Sequence, residues 1–334
     1  MSLVPRVLCI SRLVEIDKRS IASFLFRWHH GSCMVRLPRL FALSSLFLLL
    51  VMGSRILAQG TSGPRVSDSS VGYIDPAIPA DVFRLRFDAA DNNLHPTRGE
   101  FFYPKGGPIG PGLPEPEAKV DNQDLSAYLE LAASERLSAF FNVPLRFLEP
   151  QINPSHAGLS DMDVGFKYAF VRDDERVATL QFRTYIPTGD SKLGLGNNHV
   201  TLEPGLLYYD RLADRLGLES ELRLWVPIGG TDFASEIFRY GVGLHYDLYR
   251  TDRLTFTPVA EFVGWTLLGG KVSTLLPSGN VLVESAAGQT ILNAKVGMRV
   301  KFGDWADLYG GYGRPLTGDR WYDNIARVEF RLFF

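Results

Sequence analysis

The chain has few of the features that cross-link secreted proteins or anchor helical membrane proteins. It has 334 residues and two cysteines, Cys9 and Cys33. Both lie upstream of a predicted signal peptide, so we expect the mature chain to form no disulfide and to offer no thiol nucleophile. The apolar stretch at 41–52 is shorter than the roughly 20 residues that a transmembrane helix needs. Downstream of residue 80, no apolar period of 3.6 residues indicates an amphipathic helix.

An excess of one charge is also missing. Lys and Arg number 35, and Asp and Glu number 37. A near balance gives no electrostatic reason to bind a polyanion, so we expect no nucleic-acid partner.

Motifs for catalysis or metal binding are absent as well. The mature part of the sequence contains no Gly-x-Ser-x-Gly nucleophile elbow, no pair of histidines at metal-ligand spacing and no glycine-rich phosphate loop. We therefore expect no catalytic residues, no metal and no cofactor.

The amino end predicts export. Arg36 and Arg39 precede the apolar stretch, and Ile56-Leu57-Ala58 is a usable cleavage site, so residues 34–58 resemble a secretory signal peptide. We expect translation to start at Met34, with 1–33 an upstream extension. Residues 59–80 are expected to form a flexible periplasmic leader, and residues 81–334 a barrel.

Alternation of apolar and polar residues predicts twelve strands. They cover 81–90, 125–133, 137–147, 161–171, 176–187, 199–210, 214–227, 236–249, 253–267, 289–303, 305–314 and 323–334. Short turns alternate with long loops, among them 91–124 and 268–288. This arrangement is typical of an antiparallel transmembrane β-barrel with short periplasmic turns and long extracellular loops.

The two faces of each strand differ in polarity. The apolar face must contact lipid, because a Lys or Arg at the lipid midplane costs about 2–4 kcal/mol. The polar face must then line the lumen. The pore-lining candidates on it are Arg84, Arg86, Lys167, Arg183, Glu203, Glu221, Arg223, Arg239, His245, Glu261, Lys295, Arg299, Arg327, Glu329 and Arg331. His245 is the only histidine in the interior of a predicted strand, and Asp247 is its expected hydrogen-bond partner.

The carboxyl end is the most specific signal. Phe330, Leu332 and Phe334 share the apolar face of the last strand, and the sequence ends on that phenylalanine. Such an end is similar to the terminal strand of bacterial outer-membrane barrels, which the assembly machinery of that membrane reads. It predicts an outer-membrane location, with lipid and this machinery as partners.

Three stretches carry a resemblance to a family. They are 158–168 (GLSDMDVGFKY), 185–190 (YIPTGD) and 202–206 (LEPGL). They resemble the outer-membrane proteins grouped with the meta-pathway of phenol degradation, over roughly 125–334. The resemblance implies a barrel that passes small molecules, hydrophobic or aromatic compounds among them, and it brings no catalytic residues.

Several alternatives stay open from the sequence. The lumen charges are compatible with a polar pore or with a lumen closed by cross-strand ion pairs, as in a structural or surface barrel. A barrel hydrolase would need an active Ser or Asp near His245. The identity of the solutes and the oligomeric state are not determined by the sequence.

Overall fold

The computed structural model describes residues 63–94 and 113–334. The predicted upstream extension, the signal peptide, the first residues of the leader and most of the first long loop lie outside these ranges. Within them, no helix has the length and apolar character to cross a membrane.

The described residues are almost entirely β-structure. The strands are β1 (Val82–Asn93), β2 (Val120–Ser134), β3 (Leu137–Pro150), β4 (His156–Leu159), β5 (Met162–Arg172), β6 (Arg176–Ile186), β7 (Val200–Ala213), β8 (Leu216–Ile228), β9 (Ile237–Tyr246), β10 (Tyr249–Arg250), β11 (Leu254–Leu267), β12 (Lys271–Leu275), β13 (Val281–Ser285), β14 (Thr290–Phe302), β15 (Ala306–Pro315) and β16 (Asn324–Phe333). Single 3₁₀ turns occur at Val66–Asp68 and Ser191–Leu193.

Twelve of these strands form a closed antiparallel barrel. The order around the ring is β1, β2, β3, β5, β6, β7, β8, β9, β11, β14, β15 and β16. The last strand then pairs with the first, from Val82 opposite Phe333 to Asp91 opposite Asn324. Closure leaves the ring of described strands without an unpaired edge, which lipid would not tolerate. The predicted fold class and the number of strands are confirmed.

The other four strands lie in the connections between strands of the ring. β4 pairs with the outer half of β3, and β10 pairs with the periplasmic end of β11. β12 and β13 form a hairpin within the loop predicted at 268–288. The periplasmic turns are short, and Gly303, with a φ of +55°, permits the tight turn between β14 and β15.

Burial separates the two faces of the wall as the alternation predicts. Val296, at mid-height of β14, is 59% exposed, whereas its neighbours Lys295 and Arg299 are buried. Trp305 and Phe334 are exposed near the periplasmic rim, where an aromatic girdle belongs. The apolar surface thus points outward, toward lipid.

The segment before β1 corrects one expectation. Residues 66–80, which we call the inserted segment, lie inside the barrel and do not form a flexible leader. Val71, Ile74, Ala77 and Ile78 are at most 2% exposed. The segment enters at the periplasmic end, where Arg65 contacts Asp304 of the β14–β15 turn at 3.0 Å, and it returns to that end to begin β1.

Candidate functional site

The pore-lining candidates all lie on the lumen face. Fourteen of them are buried, namely Arg84, Lys167, Arg183, Glu203, Glu221, Arg223, Arg239, His245, Glu261, Lys295, Arg299, Arg327, Glu329 and Arg331. Arg86 is partly exposed, and its Nε lies 3.2 Å from Asp88. The wall strands bring them together around the inserted segment.

Glutamates of the wall bind main-chain N–H groups of the inserted segment. The carboxylate of Glu261 accepts hydrogen bonds from three successive residues: Gly72 at 2.9 Å, Tyr73 at 2.9 Å and Ile74 at 3.1 Å. The carboxylate of Glu219 accepts hydrogen bonds from the N–H groups of residues 70 and 71, at 2.9 and 3.3 Å. Hydrogen bonds with one charged partner are the stronger kind.

Arginines of the wall bind the carbonyl groups of the same segment. Arg299 donates to Ser70 O at 2.9 Å and to Val71 O at 2.8 Å. Arg331 donates to the carbonyl of residue 69 and Arg239 to that of residue 73, both at 2.6 Å. Arg327 donates to Gly72 O. Side-chain charges thereby replace the ladder that a neighbouring strand would supply, and the buried backbone is satisfied.

Ion pairs within the wall hold these arginines in place. Asp307 contacts Arg299 at 2.5 Å and Arg331 at 2.6 Å. Arg327 forms a bidentate pair with Asp88, at 2.6 and 2.9 Å. Each guanidinium thus still has N–H groups that donate to carbonyl groups of the inserted segment.

Side-chain contacts of Tyr73 and Val71 also hold the inserted segment. The ring of Tyr73 lies beneath the Lys295 ammonium at 3.7 Å and the Arg327 guanidinium at 4.0 Å, which are cation–π distances. Val71 packs where Gly243 of β9 has no side chain. The glycine therefore makes room for the segment in the wall.

A polar cavity lies on the outer side of the inserted segment. Its volume is about 130 Å³, and Tyr73 and Asp75 contribute to its lining from below. Asp161 and Asn197 line it from the outer loops. The inserted segment thus separates this cavity from the periplasmic end of the barrel.

His245 has a different partner from the one predicted. Its Nδ1 lies 3.4 Å from Glu219, whereas Asp247 accepts a hydrogen bond from Thr257 at 2.8 Å. The hydroxyl of Ser69 donates to the same Glu219 carboxylate at 2.5 Å. The carboxylate thus lies between serine and histidine, so this group does not form a nucleophile–base pair. Among the described residues, no cluster of three or more His, Cys, Asp or Glu could hold a metal ion.

The sequence analysis did not predict that residues 66–80 enter the lumen. A signal was present on the wall: Val259 and Val263 share the lumen face of β11 with Glu261, and both are buried. Apolar residues on a lumen face indicate an apolar partner inside. The apolar side chains of 71–78 supply it.

The predicted assembly signal lies on the outer face of the closing strand. Phe330 and Phe334 are 37% and 42% exposed, and Leu332 is partly exposed. These side chains are thus accessible from the lipid side, and their role in assembly stays a prediction.

The comparisons with known proteins concern the fold. No family model matches the sequence, and no curated protein is significantly similar to it. The chain resembles the crystal structure of an outer membrane channel from Pseudomonas putida F1, with 12% identity and a TM-score of 0.51, over 80% of this chain and 100% of that one. Other similar structures are the KdgM porin (9% identity, TM-score 0.43, over 76% and 99%) and the β domain of the Bordetella autotransporter Brka (14% identity, TM-score 0.43, over 76% and 100%). The chain has the fold of an outer-membrane β-barrel.

Proposed function

We propose that this outer-membrane barrel is a channel for small molecules, closed at rest by the inserted segment. The observation that carries the proposal is the cavity of about 130 Å³ that reaches from the outer loops to Tyr73 and Asp75. A purely structural barrel needs no such cavity. The floor of the cavity belongs to a segment outside the ring of strands, so the lumen can open without breaking the wall.

The way in which the segment is held supports a removable closure. Contacts of Glu261 and Arg299 with it are made to main-chain atoms. Water can replace each of these partners when the segment leaves, so the net contribution of each hydrogen bond is about 1.5–3 kcal/mol. Together these hydrogen bonds hold the inserted segment firmly, and each one can break and re-form on its own.

The class of solute follows from the cavity lining and from the resemblance in sequence. Tyr73, Tyr128, Tyr185 and Trp225 contribute aromatic surface to the cavity. The resemblance to outer-membrane proteins grouped with phenol degradation points in the same direction. We therefore propose small aromatic compounds as solutes of this channel.

The remaining predictions concern the route to the membrane. Residues 34–58 would direct export and be removed, and Phe330, Leu332 and Phe334 would be read by the assembly machinery. The described residues contain the barrel that such a route would deliver.

Single-channel conductance tests the proposal. The mature chain 59–334 and a shortened chain that begins at Ala77 are refolded into planar bilayers. The shortened chain keeps the hydrogen bond from Thr179 to Ala77 O and loses the contacts of 66–75. We expect stable conductance steps from the shortened chain and rare or smaller ones from the mature chain.

A matched control begins at Gly63 and keeps the whole inserted segment. It should behave like the mature chain. If both shortened chains fold, as heat-modifiable bands on gels, and both stay silent, the barrel is structural and the channel proposal fails.

A further inference from the structure

Three arginines of the wall converge on one carboxylate of the inserted segment. Asp75 Oδ2 accepts hydrogen bonds from Arg183 at 2.6 Å and from Arg223 at 3.1 Å. Its Oδ1 faces Arg84 Nη1 at 3.9 Å. This carboxylate is therefore bound as an anionic ligand would be, at the inner end of the cavity.

Of the three arginines, Arg84 has the weakest contact with the Asp75 carboxylate. Its side chain is buried and lines the cavity. Its ion-pair partners lie at 3.9 Å (Asp75) and 3.8 Å (Glu329), both beyond hydrogen-bond distance. Its guanidinium stacks on Tyr128, at 4.2 Å from the ring centroid. In the part of the chain that the structure describes, its buried Nε has no hydrogen-bond acceptor. A buried guanidinium in this state is a strong site for a carboxylate.

Other acids also face these arginines. Asp163 lies 3.3 Å from Arg183, and Glu203 and Glu221 lie 3.1 and 2.7 Å from Arg223. These acids belong to wall strands and stay when the inserted segment leaves. Arg183 and Arg223 therefore keep partners without Asp75, whereas Arg84 keeps, among the described residues, only the distant Glu329 as an ion-pair partner.

The aromatic side chains beside Arg84 and Arg183 suit a flat ring. Tyr128 stacks with Phe140 at 5.4 Å between ring centroids. Tyr185 meets Trp225 edge to face at 6.4 Å. An aromatic acid could place its carboxylate on the arginines and its ring between these side chains.

We propose that small aromatic carboxylates bind at Arg84, Arg183 and Arg223 in place of Asp75, and that this exchange releases the inserted segment. The proposal rests on the proposed channel function and names its solute class and its opening signal. Asp75 is then an internal competitor. A solute that carries a carboxylate takes over the arginine contacts of Asp75, which hold the inserted segment in the lumen.

The first test is binding, measured by isothermal titration calorimetry on the refolded mature chain in detergent. Benzoate is the probe, benzyl alcohol its neutral counterpart and acetate its counterpart without a ring. We expect benzoate to bind at least tenfold more tightly than either. Equal binding of benzoate and benzyl alcohol would overturn the anion site, and equal binding of benzoate and acetate would overturn the role of the aromatic walls.

Variants locate the site. Asp75→Asn removes the competitor, so the affinity for benzoate should rise about tenfold. Arg84→Gln should lower it by about the same factor. Arg86→Gln is the matched control, because it removes the same charge from the same strand and cavity without facing Asp75. If Arg84→Gln and Arg86→Gln have equal effects, the assignment to Arg84 is wrong.

Conductance separates this inference from the proposed function. Benzoate should raise the open fraction of the mature channel, and Asp75→Asn should raise it without benzoate. If the chain beginning at Ala77 conducts but neither benzoate nor Asp75→Asn changes the mature chain, the channel stands and the release mechanism fails. If benzoate binds but no form conducts, the site stands and the channel function fails.

Discussion

The ring of Tyr309 lies directly against the Cα atom of Gly72, so a Cβ atom at position 72 would overlap the ring. Tyr309 belongs to β15 of the wall, whereas Gly72 belongs to the inserted segment. The close approach fixes how deeply the segment enters. Position 72 lies outside the strands, so a substitution there tests the inserted segment without changing the sequence of the wall.

Gly72→Val should expel the inserted segment while the barrel stays folded. The added side chain overlaps Tyr309, and the wall pairs with itself all around the ring. We expect a large rise in the fraction of time that single channels are open, with unchanged heat modifiability. Gly310→Val is the control, because a Cβ at Gly310 meets no atom of the described residues within 4 Å. Silent Gly72→Val channels would contradict a closing role for the segment.

Glu261→Gln should loosen the segment without expelling it. The carboxylate accepts three main-chain N–H bonds, and the amide loses the charge and offers one acceptor oxygen. A loss of about 1.5–3 kcal/mol corresponds to roughly 10- to 100-fold faster amide exchange at residues 72–74. Hydrogen–deuterium exchange with mass spectrometry measures this. Glu284→Gln, in the exposed strand β13, should leave exchange in these amides unchanged.

Asp307→Asn should destabilise the barrel as a whole. Asp307 is fully buried between Arg299 and Arg331, and its loss leaves two guanidinium groups short of a counter-charge. Breaking a buried pair costs about 3–5 kcal/mol of unfolding free energy. Urea unfolding in lipid vesicles measures it. Asp304→Asn, which removes an exposed turn partner of Arg65, should have little effect, and equal shifts for both variants would show that the lumen network contributes no special stability.

The wall could be predicted from the sequence because lipid imposes a strict pattern on it. Hydrocarbon accepts only apolar side chains, so Val296 and Lys295 must face opposite sides, and period 2 places the strands within a few residues. The predicted strand at 289–303, for example, is observed at Thr290–Phe302. The same pattern sets the pore-lining candidates on the face opposite these exposed apolar residues, and fourteen of the fifteen are buried there.

The closure of the lumen could not be predicted in the same way. Gly72 and Glu261 are separated by 189 residues in sequence, and main-chain recognition leaves no side-chain periodicity in the recognised segment. Residues 66–80 therefore read as a leader rich in small and polar residues. The hairpin of β12 and β13 was missed for another reason: its strands have five residues each, too few for alternation to stand out within a long loop.

Deleting Phe334 should impair assembly in cells more than folding. Its side chain is 42% exposed on the outer face, and its N–H reaches Asp81 O only at 3.4 Å, so little barrel stability depends on it. If the assembly machinery reads the carboxyl end, the amount of barrel in the outer membrane should fall several-fold, while refolding into detergent stays unchanged. Phe170→Ala is the control, because it removes another exposed aromatic side chain outside the last strand. Equal losses for the two variants in cells would mean that the machinery does not depend on the terminal residue, and a loss in refolding as well would assign Phe334 a structural role.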